Sequence, residues 1–219
     1  MDQNPQEQLA AHAPHTREQE PMLFCPVCSR RLAERKCKLY CEQCGYYMSC
    51  ADYIEKQMSE LADLLERFRR GAELVAVATT GAAGPVLDFQ PAPGKWGVRT
   101  IVCHLADTET VLAMRLRQVI AEDHPQMPAM NQDAWAERLD YSKRKLSPAL
   151  ESFRRTRAEN FELLKDLPES TFARTGQHSE RGTVSLLDLL RIYAEHAEKH
   201  VQQIHSARAA YKEFKASTV

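Results

Sequence analysis

The chain has 219 residues, of which 43% are hydrophobic and 27% are charged, and its formal net charge at neutral pH is −1. This composition excludes wholesale disorder, and the charge balance excludes a global basic field that would hold nucleic acid. The first twenty residues lack the cationic start and apolar centre of a secretory signal, and the longest uncharged stretch, which includes 74–85, is interrupted by Gly and Pro. We therefore expect a cytoplasmic protein that makes no membrane contact.

The composition changes along the chain. Residues 1–20 are rich in Gln, Glu, His and Pro, with almost no large apolar side chain, so we expect a disordered tail there. Residues 21–50 hold six of the seven cysteines, and we place a small metal-binding module at 21–52. From 53 to 215 apolar residues recur at helical spacing, which predicts a larger helical domain.

Two CxxC pairs, Cys25 with Cys28 and Cys41 with Cys44, are separated by twelve residues. Four thiolates are a complete ligand set for tetrahedral zinc, and thirty residues cannot bury an adequate core without such a metal. In a reducing compartment this spacing favours structural Zn²⁺ over a redox dithiol or inert thiols. Residues 24–50 resemble the zinc-ribbon family, in which two such turns hold one structural zinc.

Two further cysteines, Cys37 and Cys50, are surplus, and either could replace one of the four. Basic residues also accumulate between the two CxxC pairs. They are Arg30, Arg31, Arg35, Lys36 and Lys38. This basic face is either a solvated hairpin or a contact surface for nucleic acid or protein, and the sequence leaves both interpretations open.

Four amphipathic helices are predicted. The first has an inward stripe at steps of four and three residues. Its members are Ile54, Met58, Leu61, Leu65 and Phe68. The second helix begins near Val98; the third begins at Ser147 and Pro148, with Ser147 as its N-cap; the fourth is capped by Thr183 or Ser185. A short helical turn is expected around Trp135, and no alternating β pattern appears after residue 51. The fold class is therefore mostly α, a four-helix bundle preceded by a small zinc-ribbon module.

Three histidines lie on the predicted inward faces of two helices. His196 and His200 are four residues apart on the fourth helix and continue its apolar stripe. An unpartnered buried imidazole costs about 1–3 kcal/mol, and one metal ion would satisfy both. The alternative is a pair of core histidines bonded to side chains or water. His104 lies beside the apolar stripe of the second helix and is a candidate third ligand.

Two segments carry a family resemblance. Residues 53–212 resemble the DinB-like (YfiT-like) superfamily. The first segment that carries the resemblance contains KWGVRT at 95–100 and CHLADTE at 103–109. The second is GQHSERGTVSLLDLLRIYAEHAEKHVQQI at 176–204. The resemblance implies an antiparallel four-helix bundle, a homodimer, and a metal bound by His104, His196 and His200. Gly97 stands where the family usually has a Ser or Thr N-cap.

Three other residues match the family. We expect Trp96 and Arg99 to anchor the start of the second helix, and His178 is a candidate for the mouth of the site.

A metal held by three neutral imidazoles keeps an open coordination position and can activate water or a thiol. We therefore expect a metal-dependent hydrolase, or a thiol S-transferase, that acts on a small-molecule substrate with a divalent zinc, nickel or iron ion in the bundle. Asp107 and Glu109 are candidates for proton transfer. The competing hypotheses are a non-catalytic module whose ribbon docks a protein or nucleic acid, and a degenerate bundle without metal.

Overall fold

A computed structural model of the chain describes residues 24–25, 27–34 and 38–218, with the backbone alone over 48–59. The chain divides into two units, Met1–Met58 and Ser59–Val219. The predicted tail at 1–20 and Cys37 lie outside the described residues, as does the side chain of Cys50. None of the described helices combines the length and the apolar character that a membrane span requires.

The first unit contains a small antiparallel sheet of three strands. These are β1 (Ala33–Glu34), β2 (Lys38–Tyr40) and β3 (Tyr47–Ser49), with β2 in the centre. Glu34 pairs with Leu39, and Leu39 pairs with Met48. The buried apolar side chains described in this unit are only Cys25, Leu32 and Cys41, so two of the three are candidate metal ligands. The hydrophobic contribution to the stability of this sheet is therefore small.

Four long helices and one short one build the second unit, and the first of them begins within the first unit. They are α1 (Cys50–Thr79), α2 (Val98–Ala121), α3 (Gln132–Arg138), α4 (Leu146–Leu164) and α5 (Leu186–Ser217). The mostly α prediction is confirmed, and the helical turn expected around Trp135 is α3. The buried face of α1 differs in detail from the predicted stripe, because Leu64 and Phe68 are buried while Leu61 and Leu65 are half-buried. The side chains of Ile54 and Met58 are outside the described part.

The helix starts explain two features of the sequence. Gly97 is the N-cap of α2, and a Cβ atom there would lie 3.0 Å from the carbonyl oxygens of both Leu87 and Phe89. A Ser or Thr cap therefore does not fit this close backbone approach. At α5, Ser185 and Asp188 form a reciprocal capping box, which decides between the two predicted caps.

The predicted start of α4 is wrong by two residues. The helix begins at Leu146, and Lys145 occupies the cap position without a capping side-chain bond. Ser147 is therefore inside the first turn and is not the N-cap. Pro148 also lies in that turn, where a backbone N–H has no intrahelical partner, so the proline is tolerated there.

A second small sheet contradicts the expectation that no strands follow residue 51. Its strands are β4 (Gln126–Met127), β5 (Thr175–His178) and β6 (Gly182–Ser185). β5 is central; it pairs parallel to β4 and antiparallel to β6. Strands of two to four residues are too short to show a period of two in the sequence. The sheet joins the segment after α2 to the start of α5 and positions His178.

A buried ion pair lies at the centre of the bundle. Arg157 Nη2 of α4 donates to Glu109 Oε2 of α2 at 2.6 Å, and both side chains are only 1% exposed. Asn160 Nδ2 donates to the other carboxylate oxygen at 2.9 Å. Arg157 also donates to the carbonyl of Phe68 in α1, and its guanidinium lies 4.0 Å from the centre of the Phe68 ring. At Gly71, a Cβ atom would lie 3.0 Å from Arg157 Nη1, so the glycine leaves room for the guanidinium.

We predict that Glu109→Gln lowers the free energy of unfolding by about 3–5 kcal/mol, because it leaves the charge of Arg157 buried without its counter-charge. Urea unfolding monitored by circular dichroism measures the change. Glu66→Gln is the matched control, since Glu66 pairs with Arg69 on the solvent-exposed surface of α1. That variant should leave the stability essentially unchanged. Equal stabilities of the Glu109 variant and the wild type would contradict a central role for this pair.

Candidate metal centres

Three histidines from two helices point their Nε2 atoms at one position. His104 is on α2, and His196 and His200 are on α5. His196 Nε2 lies 3.1 Å from His104 Nε2 and 3.0 Å from His200 Nε2, and the ligand atoms of the three residues all lie within 4.8 Å of one another. The structure therefore brings together the three residues that the sequence proposed as ligands. His104 and His200 are buried, and His196 is partly exposed.

The hydrogen bonds of these rings leave buried nitrogen atoms without partners. Nδ1 of His104 and Nδ1 of His196 are both buried, and neither has a hydrogen-bond partner. His200 differs, because its Nδ1 donates to Gln203 Oε1 at 2.9 Å. Nδ1 of the neutral ring therefore carries the proton, and Nε2 carries the lone pair. Ligand atoms 2.0–2.1 Å from a tetrahedral ion are about 3.3 Å apart, close to the spacing here. The spacing of the Nε2 atoms and the lone pair on Nε2 of His200 therefore fit a divalent metal ion, which would leave the two Nδ1 atoms as they are.

The surroundings keep the three imidazoles neutral. Burial, followed by the charge of His200, lowers the pKa of His104 to about 3. Burial and the charges of the neighbouring histidines lower the pKa of His196 to about 2, and burial also lowers the pKa of His200. Because a metal ion binds the neutral ring, the site holds its ligands in the binding form at neutral pH.

Trp96 forms part of the wall of this site. Its ring centre is 4.9 Å from that of His104, with the planes at 60°, and 6.4 Å from that of His200, with nearly parallel planes. The sequence assigned Trp96 only to the start of α2. Arg99 has the anchoring role expected for both residues, since it forms two hydrogen bonds with Asp88 and a third with the carbonyl of Arg144.

The two carboxylates proposed for proton transfer are engaged elsewhere. Asp107 accepts from Tyr141 Oη at 2.7 Å and from Arg144 Nη1 at 2.8 Å. Glu109 is bound in the buried pair described above. At about 100° per residue, Glu109 lies about 140° around α2 from His104, which explains why the helix directs it away. Neither carboxylate belongs to the cluster of ligand atoms that includes His104, within the described part of the chain.

Two cavities border the histidine cluster. We call them cavity A, of about 210 Å³, and cavity B, of about 820 Å³. Cavity A is lined by His104, His196, His178, Arg115 and Tyr193, among others, so His178 does face the site. Cavity B lies against another side of the cluster. Its walls include Trp96, His196, His200, Lys95 and Lys199.

Sequence reasoning missed Arg115, although a signal was present. Arg115 follows His104 by eleven residues, which is about 20° around a helix and therefore the same face. Thr108 and Val111 lie between them on this face and also line cavity A. The signal was a cation on the inward face of a helix, next to the buried residues Leu112 and Leu116. It would have identified Arg115 as a candidate site residue.

The four cysteines of the first unit form a second cluster. Cys25 Sγ is 3.4 Å from Cys44 Sγ, Cys28 Sγ is 3.3 Å from Cys41 Sγ, and the four sulfur atoms lie within 4.8 Å of one another. The N–H group of Cys44 donates to the sulfur of Cys41 and lowers its pKa to about 6, so this thiolate forms readily. The cluster fits a zinc ribbon.

The two cysteine turns have the same backbone pattern. Cys25 N–H donates to the carbonyl of Arg30, five residues later, just as Cys41 N–H donates to that of Tyr46. The residue after each pair has a positive φ, which is +60° at Ser29 and +74° at Gly45. Glycine adopts such a φ without strain, whereas a serine with a left-handed backbone is uncommon.

The fold and the histidine cluster define a four-helix-bundle protein with three converging histidines that could hold a metal ion. Residues 64–204 match the DinB superfamily, and the chain belongs to that family. This confirms the resemblance found in the sequence.

Among its relatives, a protein of Oceanobacillus iheyensis named a "putative metal-dependent hydrolase" is 32% identical over 120 residues, which cover 55% of this chain and 69% of that protein. A protein of Geobacillus kaustophilus with the same name is 28% identical over 132 residues, covering 60% and 74%.

Two solved structures share the fold. YfiT from Bacillus subtilis, described as a probable metal-dependent hydrolase with an unusual four-helix bundle topology, superposes with a TM-score of 0.63 at 22% identity. The match covers 67% of this chain and 84% of that one. A mycothiol-dependent maleylpyruvate isomerase superposes with a TM-score of 0.55 at 14% identity, covering 66% and 60%. Both confirm the bundle prediction at the level of fold.

We predict that the metal-free protein loses stability as the pH falls from 6.5 to 5. Histidines of the unfolded chain become protonated as the pH falls through about 6.5, whereas the buried His196 of the folded protein stays neutral. The unfolded state therefore binds more protons than the folded state and is stabilised relative to it. The free energy of unfolding of His196→Ala should therefore depend less steeply on pH, by about 1.4 kcal/mol per pH unit. Chelator-treated samples unfolded in urea at each pH measure the slope. The control is His205→Ala, at an exposed position of α5, which should keep the wild-type slope. If His196→Ala also keeps the wild-type slope, the prediction is wrong.

Proposed function

We propose that this chain is a metal-dependent hydrolase of a small molecule, and that Nε2 atoms of His104, His196 and His200 hold its divalent metal ion. The convergence of these three nitrogen atoms, with His200 keeping a lone pair on Nε2, is the observation that carries the proposal. The naming of several relatives as metal-dependent hydrolases supports the same reaction class.

The metal ion would supply the chemistry, and the protein would hold the ion and the substrate. An ion held by three imidazoles with an open position supplies Lewis acidity and lowers the pKa of a coordinated water towards 7. Gln203 accepts from Nδ1 of His200 and thereby fixes the orientation of that ring. Trp96 shields His104 and His200 from solvent. Cavity A accommodates a small substrate beside His104 and His196.

A second candidate is thiol S-transfer, and cavity B favours it. A hydrolase needs one organic substrate, whereas a transferase needs two. Cavity B has about 820 Å³ beside His196 and His200, so the site offers separate space for a second reactant. A thiol-dependent enzyme also shares this fold. In this reaction a metal held by the three histidines would activate a thiol instead of water.

The cysteine cluster has a separate role in our proposal. Four thiolates fill a tetrahedral site, so we assign Cys25, Cys28, Cys41 and Cys44 a structural zinc ion that supplies most of the folding free energy of the ribbon. The identity of the bundle metal as zinc, nickel or iron stays a prediction, as do the homodimer and a protein or nucleic-acid contact through the ribbon.

We predict about two metal ions per chain in the untagged wild-type protein, and about one in His196→Ala/His200→Ala. Cys25→Ser/Cys28→Ser should also retain about one, because the two sites are independent. Elemental analysis by plasma mass spectrometry measures these ratios. His205→Ala is the control for a histidine on α5 outside the cluster and should retain two. A bundle site that stays empty in the wild type after incubation with zinc, nickel and iron would contradict the metal assignment.

We also predict that hydrolysis of a panel of small esters and amides depends on the bundle metal. The wild type should hydrolyse at least one member, and His200→Ala should reduce its kcat/KM by at least about a hundredfold, since the metal provides the main stabilisation of the transition state. Repeating the assay with added low-molecular-weight thiols separates the two candidates. Product that contains the thiol favours transfer, and hydrolysis unchanged in His200→Ala would contradict both.

A further inference from the structure

Cavity A contains a buried cation that has no counter-charge within the described part of the chain. Arg115 is 8% exposed, and no described carboxylate lies within ion-pair distance of it. Its two bonds go to neutral acceptors: Nη1 donates to Tyr193 Oη at 3.0 Å, and Nη2 donates to the carbonyl of Pro128 at 2.6 Å. A guanidinium has five N–H donors, so three remain.

The other buried arginine of the bundle shows what is unusual about Arg115. Arg157 is 1% exposed and is neutralised by Glu109 at 2.6 Å. A buried charge is normally paired in this way, because removing an unpaired ion from water costs several kcal/mol. The bundle therefore pairs one buried arginine with its own carboxylate, whereas it leaves the other facing a cavity.

Other hydrogen-bond donors surround the same space. Nδ1 of His178 accepts from the backbone N–H of Glu180 at 3.2 Å, so the proton of the neutral ring is on Nε2. Tyr193 Oη accepts from Arg115, which leaves its own hydrogen available for donation. His178, Tyr193 and Arg115 all line cavity A, together with His104 and His196. This set of donors is complementary to an oxyanion.

We propose that Arg115, with His178 and Tyr193, forms an anion subsite in cavity A that binds a carboxylate group of the substrate. This inference rests on the proposed function, because it places the carboxylate at one end of the cavity and the reacting group at the histidine cluster. Arg115 and His104 are separated by about 16 Å of rise along α2, and the arginine side chain leans back towards His104. The substrate therefore has a carboxylate several bonds away from the bond that reacts.

The charge of the subsite favours a carboxylate over a phosphate. Burial, followed by the charges of Arg115 and Arg181, lowers the pKa of His178, so its ring is neutral and Arg115 supplies the one buried positive charge. Arg181 and Glu180 also border the cavity, but both are exposed and of opposite charge. One guanidinium fork matches the charge and the planar geometry of a single carboxylate.

The test uses linear dicarboxylates from succinate to suberate and the corresponding uncharged diamides as probes, titrated calorimetrically into the metal-loaded full-length protein. We expect at least one diacid to bind the wild type more tightly than its diamide by tenfold or more. Arg115→Met should weaken the binding of that diacid by about 10- to 100-fold, the effect of losing a charge-assisted bond, and should leave the diamide unaffected. Arg117→Met, an exposed arginine on the same helix, should behave as the wild type.

Two results would overturn the subsite: no preference for any diacid in the wild type, or an unchanged preference in Arg115→Met. If Arg115→Met does not fold, Arg115→Lys takes its place, since one ammonium cannot reproduce both internal bonds and a fork to the carboxylate. The comparison of acids with amides in the wild type requires no variant.

Titration of the variant His196→Ala/His200→Ala with butyrate and butyramide separates this inference from the proposed metal centre. A preference for butyrate that disappears when Arg115→Met is added supports the subsite even if the metal centre fails. An acid preference that requires the histidines and persists in Arg115→Met assigns the carboxylate to the metal and overturns the subsite alone.

Discussion

The arrangement of the bundle depends on one buried ion pair between α4 and α2. The guanidinium of Arg157 bonds the carboxylate of Glu109, the carbonyl of Phe68 in α1 and, at 3.5 Å, the carbonyl of Tyr193 in α5. It therefore contacts all four long helices. Because both charged side chains are almost completely buried, a shift of any helix would leave a charge or a guanidinium N–H unpaired.

The histidine cluster benefits from this constraint because it is built across the same helices. Glu109 follows His104 by five residues on α2, and Tyr193 precedes His196 by three on α5. Fixing those two positions also fixes the distance between the ligands on the two helices. A metal site requires its donors to be held within a few tenths of an ångström, which flexible elements do not achieve. The ion pair thus helps to hold the three histidines in place without contacting them.

The two candidate metal centres differ in how their residues are brought together. The cysteine cluster takes its four sulfur atoms from two local turns with the same hydrogen-bond pattern, so its geometry is encoded within a few residues of each pair. The histidine cluster combines residues that are 92 positions apart, and it has three protein ligands where the other has four. A complete set of four thiolates suits a structural ion, whereas three imidazoles leave a position for a reactant. Cavities A and B border only the histidine cluster.

The sequence by itself predicted the long helices, the family and the two groups of candidate ligands. These depend on local properties: helical periodicity, the i,i+4 spacing of His196 and His200, and the spacing of the CxxC pairs. It could not show the short strands β4 to β6, because two to four residues carry no measurable period. It also could not assign the charged residues of α2, since Asp107, Glu109 and Arg115 all lie on one helix and local pattern does not reveal what each faces.

Only the tertiary structure decided those assignments. It directed Asp107 to Tyr141 and Arg144, paired Glu109 with Arg157, and left Arg115 facing cavity A. The structure also explains why Gly97 stands where the family usually has a capping hydroxyl residue, since a Cβ atom there would lie 3.0 Å from two carbonyl oxygens of the preceding segment. One physical reason accounts for all of these assignments. A side chain's role is set by its partners across the bundle, and those partners are remote in sequence.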